Sequence, residues 1–257
     1  MTDAAAEQTY RDVMGEEPPL ATTPFGAATR DFLFGTVWAG SGLSRRDRRW
    51  VTLTCVGAAD APGPIDAQVY AALKSGDIEL EAMLEFVLQF AVYCGWPKAS
   101  HLEMVIGRQW ARVEQEAGRG VTKWPELSND TLGPNDWTER IEQGVEEFVS
   151  VNLLPAPAPE TPYRHAGILN FVFGHVWQRP GLTRRERRII TVASVALDDS
   201  PIPLRTHVRS AILSGDITKE EMDQIVLQFS AYYGFAKGEA LSGVVEDAWS
   251  EKLSADG

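Results

Sequence analysis

Histidine and cysteine are scarce in this sequence: four histidines and two cysteines in 257 residues. Cys55 and Cys94 stand among apolar neighbours on different predicted helices and form no Cys-x-x-Cys pair. They read as reduced packing residues rather than a disulfide or redox couple. Positive charge is also short, with 24 Lys and Arg against 36 Asp and Glu, a net charge of -12. Such a chain repels phosphate, which excludes nucleic acid and an anionic membrane surface as partners. The longest apolar stretch, around Ile189 to Leu197, falls far short of the roughly 20 residues that cross a bilayer. The N-terminus, Met-Thr-Asp-Ala-Ala-Ala-Glu, has neither the basic region nor the apolar core of a secretory signal. A cytoplasmic protein with a small-molecule substrate is the expectation. Period-two alternation is missing as well, so no strand is expected and the fold class is all-α.

What the chain does have is a repeat. Displaced by 139 positions, Phe34-Gly35 falls on Phe173-Gly174, Val37-Trp38 on Val176-Trp177, and Gly42-Leu43 on Gly181-Leu182. The same register pairs Arg45, Arg46, Arg48 and Arg49 with Arg184, Arg185, Arg187 and Arg188, and Ser75-Gly76-Asp77-Ile78 with Ser214-Gly215-Asp216-Ile217. Identities of Trp and Gly in one ungapped register mean tandem duplication rather than shared helical composition. The expected division is a unit over 1–120, a linker over 121–135 where Gly, Pro, Ser and Asn gather, and a second unit over 136–257.

Helix ends are well marked. Thr183 to Glu186 fits a capping box, with Ser44 to Asp47 as a weaker copy, and Thr218 to Glu221 fits another. Helices should follow each cap. Between them, second helices are expected over about Ile65 to Ser75 and Leu204 to Ser214, stopped by Gly76 and Gly215. Leading helical pieces are expected at Glu7 to Gly15 and Trp137 to Val151, each before a Pro-rich stretch.

Phe173-Gly174-His175-Val176-Trp177, Arg179-Pro180-Gly181-Leu182, Arg187, Thr191, Arg205-Thr206-His207-Val208-Arg209 and Tyr233-Gly234 together resemble the γ-carboxymuconolactone decarboxylase family. The resemblance covers most of the second half, and a weaker version covers the first. It implies the helical fold shared with the alkylhydroperoxidase D proteins. Single-unit members form hexameric rings of dimers, so two fused units imply an intrachain pseudo-dimer. Three chains would complete the ring as a homotrimer, with a monomer the next expectation. The resemblance assigns His207 a catalytic role as proton donor or acceptor, fitting for a group that titrates near neutrality. It makes His175, Arg187 and Gln228 substrate-binding, with Arg187 able to grip a carboxylate or enolate oxygen. On a helix, Arg205 and Arg209 share one face while His207 points about 160° away. Trp38 and Trp177 read as core packing.

Departures from the family pattern redirect the chemistry. His175 replaces a glutamate and Gln228 a histidine, and a glutamine amide does not titrate near neutral pH. In the first half, Thr36, Gln68 and Gln89 stand in the corresponding places, and Asp66 and Tyr70 replace the two arginines. The peroxidase cysteines are replaced by Ser200 and Pro203, and by Ala61 and Pro64. The expected function is a cofactor-free, metal-free lyase (decarboxylase) or isomerase acting on a small oxygenated carboxylate, lactone or polyketide-like ring. The alternative is a non-catalytic small-ligand-binding or assembly protein derived from that fold.

Overall fold

A computed structural model describes residues 3–59, 61–120, 124, 126, 136–198 and 200–256. The linker expected over 121–135 lies almost wholly outside the described residues. Those residues hold helices and no strand, and the fold is all-α, a tandem duplication of one helical unit. The first unit contains α1 (Asp3–Met14), α2 (Pro24–Ala28), a π-helical segment (Thr29–Val37), α3 (Arg45–Ala59), α4 (Pro62–Lys74), α5 (Leu80–Cys94) and α6 (Trp96–Glu116). The second repeats it with α7 (Trp137–Asn152), a π-helical segment (Tyr163–Phe173), a short 3-10 turn (Val176–Gln178), α8 (Arg184–Leu197), α9 (Pro201–Leu213), α10 (Lys219–Tyr233) and α11 (Phe235–Asp256).

Local chemistry accounts for the ends. Thr183 and Thr218 each accept the backbone N–H three residues on, and Glu186 and Glu221 return the bond, so both capping boxes are complete. Asp47 N–H donates to Ser44 Oγ at 3.1 Å, the expected partial copy. Helices α4 and α9 begin at Pro62 and Pro201, three residues earlier than expected. Proline's missing N–H costs nothing in the first turn of a helix, so it opens these helices instead of delaying them. Neither π-helical segment was anticipated, because apolar periodicity does not separate π from α geometry.

The two units share a core. One continuous cluster joins Trp50, Leu53, Phe86 and Phe90 of the first unit to Ile189, Ile190, Val192, Ile225 and Phe229 of the second. Helix α3 packs on α8 across a pseudo-twofold axis, with α10 against α3 and α5 against α8. Ion pairs cross the axis in matched fashion: Arg46 Nε to Glu186 at 2.6 Å, and Arg185 Nη2 to Asp47 at 3.1 Å. No described helix is long and apolar enough to cross a membrane.

Candidate functional site

His207 lies on the inward face of α9 with Val208, Ala211 and Ile212. Arg209, two residues on, turns away and makes a bidentate pair with Glu251 on α11. The expected separation of His207 from the helix arginines is therefore what the fold produces. The imidazole stacks on Trp177, with ring centroids 6.2 Å apart and planes 2° from parallel. Tyr93, from the first unit, meets it edge-on at 5.5 Å. Burial, reinforced by the positive charge of Arg188, pushes the His207 pKa down to about 3. The ring is therefore neutral at physiological pH, because desolvation penalises the imidazolium.

His207 forms part of the wall of a cavity of about 370 Å³. Phe148 of α7, Ile168, Val172 and Phe173 of the π-helical segment, Val195 of α8 and Val92 with Tyr93 of α5 supply most of the surface. Ser194, Asn152, Thr206 and His207 add polar groups, and Tyr163, Asp198 and Ile202 stand at the mouth. The Ser194 hydroxyl is buried without a hydrogen-bond partner, close enough to the Cys94 thiol to influence it. Burial raises that thiol to about 11, so it is no thiolate nucleophile. Cys55 is raised further, again by burial. Both cysteines are unpaired.

Behind the cavity runs a chain of buried polar contacts that crosses between the units. Arg187 Nη1 donates to Gln89 Oε1 at 2.9 Å, Gln89 Nε2 donates to Thr191 Oγ1 at 3.0 Å, and Trp177 Nε1 donates to Tyr93 Oη at 3.0 Å. Thr191 lies beside the Tyr93 phenol, which burial raises to about 12. The first unit has the same chain from the opposite halves: Arg48 to Gln228 at 3.2 Å, Gln228 to Thr52 at 2.9 Å, and Trp38 to Tyr232 at 2.8 Å. Each unit's arginine, threonine and tryptophan thus take their glutamine and tyrosine from the other unit.

This crossing relocates several expected site residues. Gln228, expected beside His207, belongs to the first unit's polar chain, and Gln89 holds the corresponding place behind the His207 cavity. The reason is that α5 and α10 exchange partners across the pseudo-twofold axis. Arg187, expected to grip substrate, is 1% exposed and already committed to Gln89 and, at 2.7 Å, to the Arg179 carbonyl. Burial lowers its pKa to about 10. His175 stands at the break between the π-helical segment and the 3-10 turn, against Phe171 at 5.9 Å, and is not part of the cavity wall. Trp177 packs in the core as expected and also carries the imidazole. Sequence reasoning missed Tyr93, Ser194 and Asn152. For Tyr93 a signal existed, since it pairs with Tyr232 in the 139-residue register.

In the first unit, Gln68 replaces the histidine. Its amide donates to Tyr232 Oη at 3.4 Å and to Met14 Sδ at 3.6 Å, and accepts from Arg49 at 3.4 Å. Met14 is the counterpart of Asn152: Arg49 binds the Val13 carbonyl and Arg188 the Val151 carbonyl, each one residue earlier. The leading helices thus match one residue out of the 139 register. A larger hollow of about 550 Å³ lies between α1, Pro18–Thr22 and α2. Leu20 and Phe25 on its wall are 89% and 83% exposed, which makes it a surface groove without buried chemistry. Among the described residues, no group of three or more His, Cys, Asp or Glu is placed to hold a metal.

The 4-carboxymuconolactone decarboxylase of Acinetobacter baylyi is 32% identical over 84 residues, which is 33% of this chain and 62% of that protein. The chain therefore spans less than two thirds of that relative's length. The nitrosuccinic acid decarboxylase npaB of Metarhizium robertsii is 30% identical over 112 residues, 42% of this chain and 78% of that protein. The pattern of the carboxymuconolactone decarboxylase family matches residues 23–105 and again 165–247, once in each unit. With more than half of its length matched in two successive copies, the chain belongs to the carboxymuconolactone decarboxylase family.

Proposed function

We propose that the chain is a decarboxylase of a small activated carboxylic acid, working without a cofactor at the His207 cavity. The observation that carries this reading is a neutral imidazole presented to an apolar cavity. Loss of carbon dioxide breaks the bond between the α-carbon and the carboxylate, and the electron pair moves into an adjacent carbonyl or nitro group. Apolar walls favour that step, because they solvate a concentrated carboxylate charge worse than the delocalised charge that follows. The His207 N–H hydrogen-bonds the oxygen on which charge develops, as a neutral electrophile. Carbon then takes a proton from solvent at the mouth, so one proton is consumed for each carbon dioxide released. His207 is held for this by its stack on Trp177, whose N–H is fixed by Tyr93. Both similar proteins named above are decarboxylases, which supports the same reaction class here.

The test is carbon dioxide release from γ-carboxymuconolactone, nitrosuccinate and a panel of monocarboxylic β-keto acids, each against His207→Ala. Turnover that depends on His207 is expected from at least one of these acids. Saturable binding throughout the panel with no turnover above that control would move the protein to the ligand-binding reading. The reading places the protein in the cytoplasm and includes assembly as a homotrimer. Exposed aromatic pairs such as Phe32 and Phe235, 6.1 Å apart, support a further interface. Light scattering over a concentration series tests the assembly, and a mass that stays at 28.3 kDa refutes the trimer.

A further inference from the structure

We infer that the His207 cavity selects an acid bearing a single carboxylate on an apolar, ring-sized body and discriminates against dicarboxylates. The inference rests on the proposed function for the site's identity, and it narrows the substrate class. Among the described residues, no lysine or arginine lines the cavity, and the one charged group there, Asp198, is an exposed carboxylate at the mouth. The guanidinium of Arg187 is bound to Gln89 and the Arg179 carbonyl. Arg188 is bound to Asp216, Ser210 and the Val151 carbonyl, and the two nitrogens left without a partner, Arg187 Nε and Arg188 Nη2, are buried on residues that do not line the cavity.

A carboxylate removed from water must recover hydrogen bonds or leave. Here the buried Ser194 hydroxyl and the His207 ring N–H offer neutral donors. Among the described residues nothing hydrogen-bonds the imidazole ring. That set serves one carboxylate. The other donors on the wall, Thr206, Tyr163, Ser200 and Asn152, which already donates to the Phe148 carbonyl, carry no positive charge, so a second carboxylate would meet neutral groups, the apolar Phe148, Ile168, Val172 and Val195, or the like charge of Asp198. The volume of about 370 Å³ lies near the lower end of small-molecule sites and fits a ring rather than an extended chain.

Binding to the full chain, measured by titration calorimetry with benzoate and with phthalate, separates the alternatives. Benzoate is expected to bind at least roughly tenfold more tightly than phthalate. Asp198→Asn should narrow the ratio by about threefold, the effect of one screened charge at the mouth. Gly167→Leu locates the binding: Gly167 lines the cavity and a Cβ there meets nothing within 4 Å, so the fold tolerates a side chain that fills the space. It should weaken benzoate by at least tenfold. Ile202→Trp, at a position 77% exposed on the mouth, is the second blocking variant.

Phthalate binding as tight as benzoate, or no saturable benzoate binding up to roughly 10 mM, overturns the inference. So does benzoate binding unaffected by either block, which would place the ligand elsewhere, for instance in the hollow beside Arg205. The decarboxylase reading fails separately: the order of affinities stands or falls without turnover, and carbon dioxide release from a dicarboxylate at a rate equal to that from a monocarboxylate removes the selectivity while keeping the reaction.

Discussion

An imidazole that is buried without a carboxylate partner leaves a mark on stability as well as on chemistry. His207 holds its proton only below about pH 3 in the native chain, against about 6.5 when unfolded. Between those values the unfolded chain binds the proton and the folded chain does not, so stability falls as pH drops below 6.5, by about 1.4 kcal/mol per unit. Above 6.5 the contribution vanishes. The groups facing the ring are Trp177, Tyr93 and Arg188, and only the last is charged, with a sign that deepens the effect. His207→Gln should therefore recover about 2 kcal/mol relative to the parent on going from pH 7 to pH 5, read from urea midpoints at the two values. An unchanged pH response would mean that the imidazole is not desolvated. Turnover should fall roughly hundredfold in the same variant.

The tyrosine pair offers a second comparison at this scale. Tyr93→Phe leaves the Trp177 N–H unpaired and should cost about 1–3 kcal/mol of stability. It should also lower turnover, because Trp177 carries His207. Tyr232→Phe strips Trp38 in the same way, yet should leave turnover nearly intact, as should Gln68→Ala. Equal losses of activity from Tyr93→Phe and Tyr232→Phe would show that both units work.

At the level of elements, the π-helical segment over Tyr163–Phe173 is the least ordinary part of the site, and it builds much of the cavity wall. Its seat depends on Gly144 of α7, where a Cβ would overlap the Leu169 carbonyl. Gly144→Ala must push the segment outward. A loss of about 2 kcal/mol or more, together with weaker ligand binding, is expected from melting curves and titration; a neutral result would deny the close approach. Most helices and both capping boxes were legible in the sequence, because Thr183, Thr218, Gly76 and Gly215 act through bonds only a few residues long. The π-helical segments were not, since Ile168 and Phe173 suit either helical pitch. The separation of His207 from Arg209 on α9 was legible in the helical period. Arg187 was misplaced because burial, which commits its guanidinium to Gln89, depends on a helix about a hundred residues away.

Across the whole molecule, the shared core means that neither half is self-sufficient. The second unit alone would expose Ile189, Ile190 and Phe229, and it would lack Gln89 and Tyr93. Because Gln228 and Tyr232 hold the same places about the pseudo-twofold axis, residues 136–257 expressed alone should pair with a second copy of themselves. The pair would present two His207 sites. Sedimentation should show twice the mass of the fragment, and a folded monomeric fragment would contradict the shared core.

The exchange of Gln89 and Tyr93 for Gln228 and Tyr232 also sets how damage is tolerated along the chain. The His207 cavity is written in two distant stretches of the gene, so the half that carries glutamine in place of the histidine is not free to decay. Substitution should be harmless at Gln68 yet harmful some twenty-five residues later at Tyr93, and harmful at His207 yet milder for function at Tyr232. Plotted against residue number, the pattern of tolerance would change sides inside each unit instead of at the boundary between them.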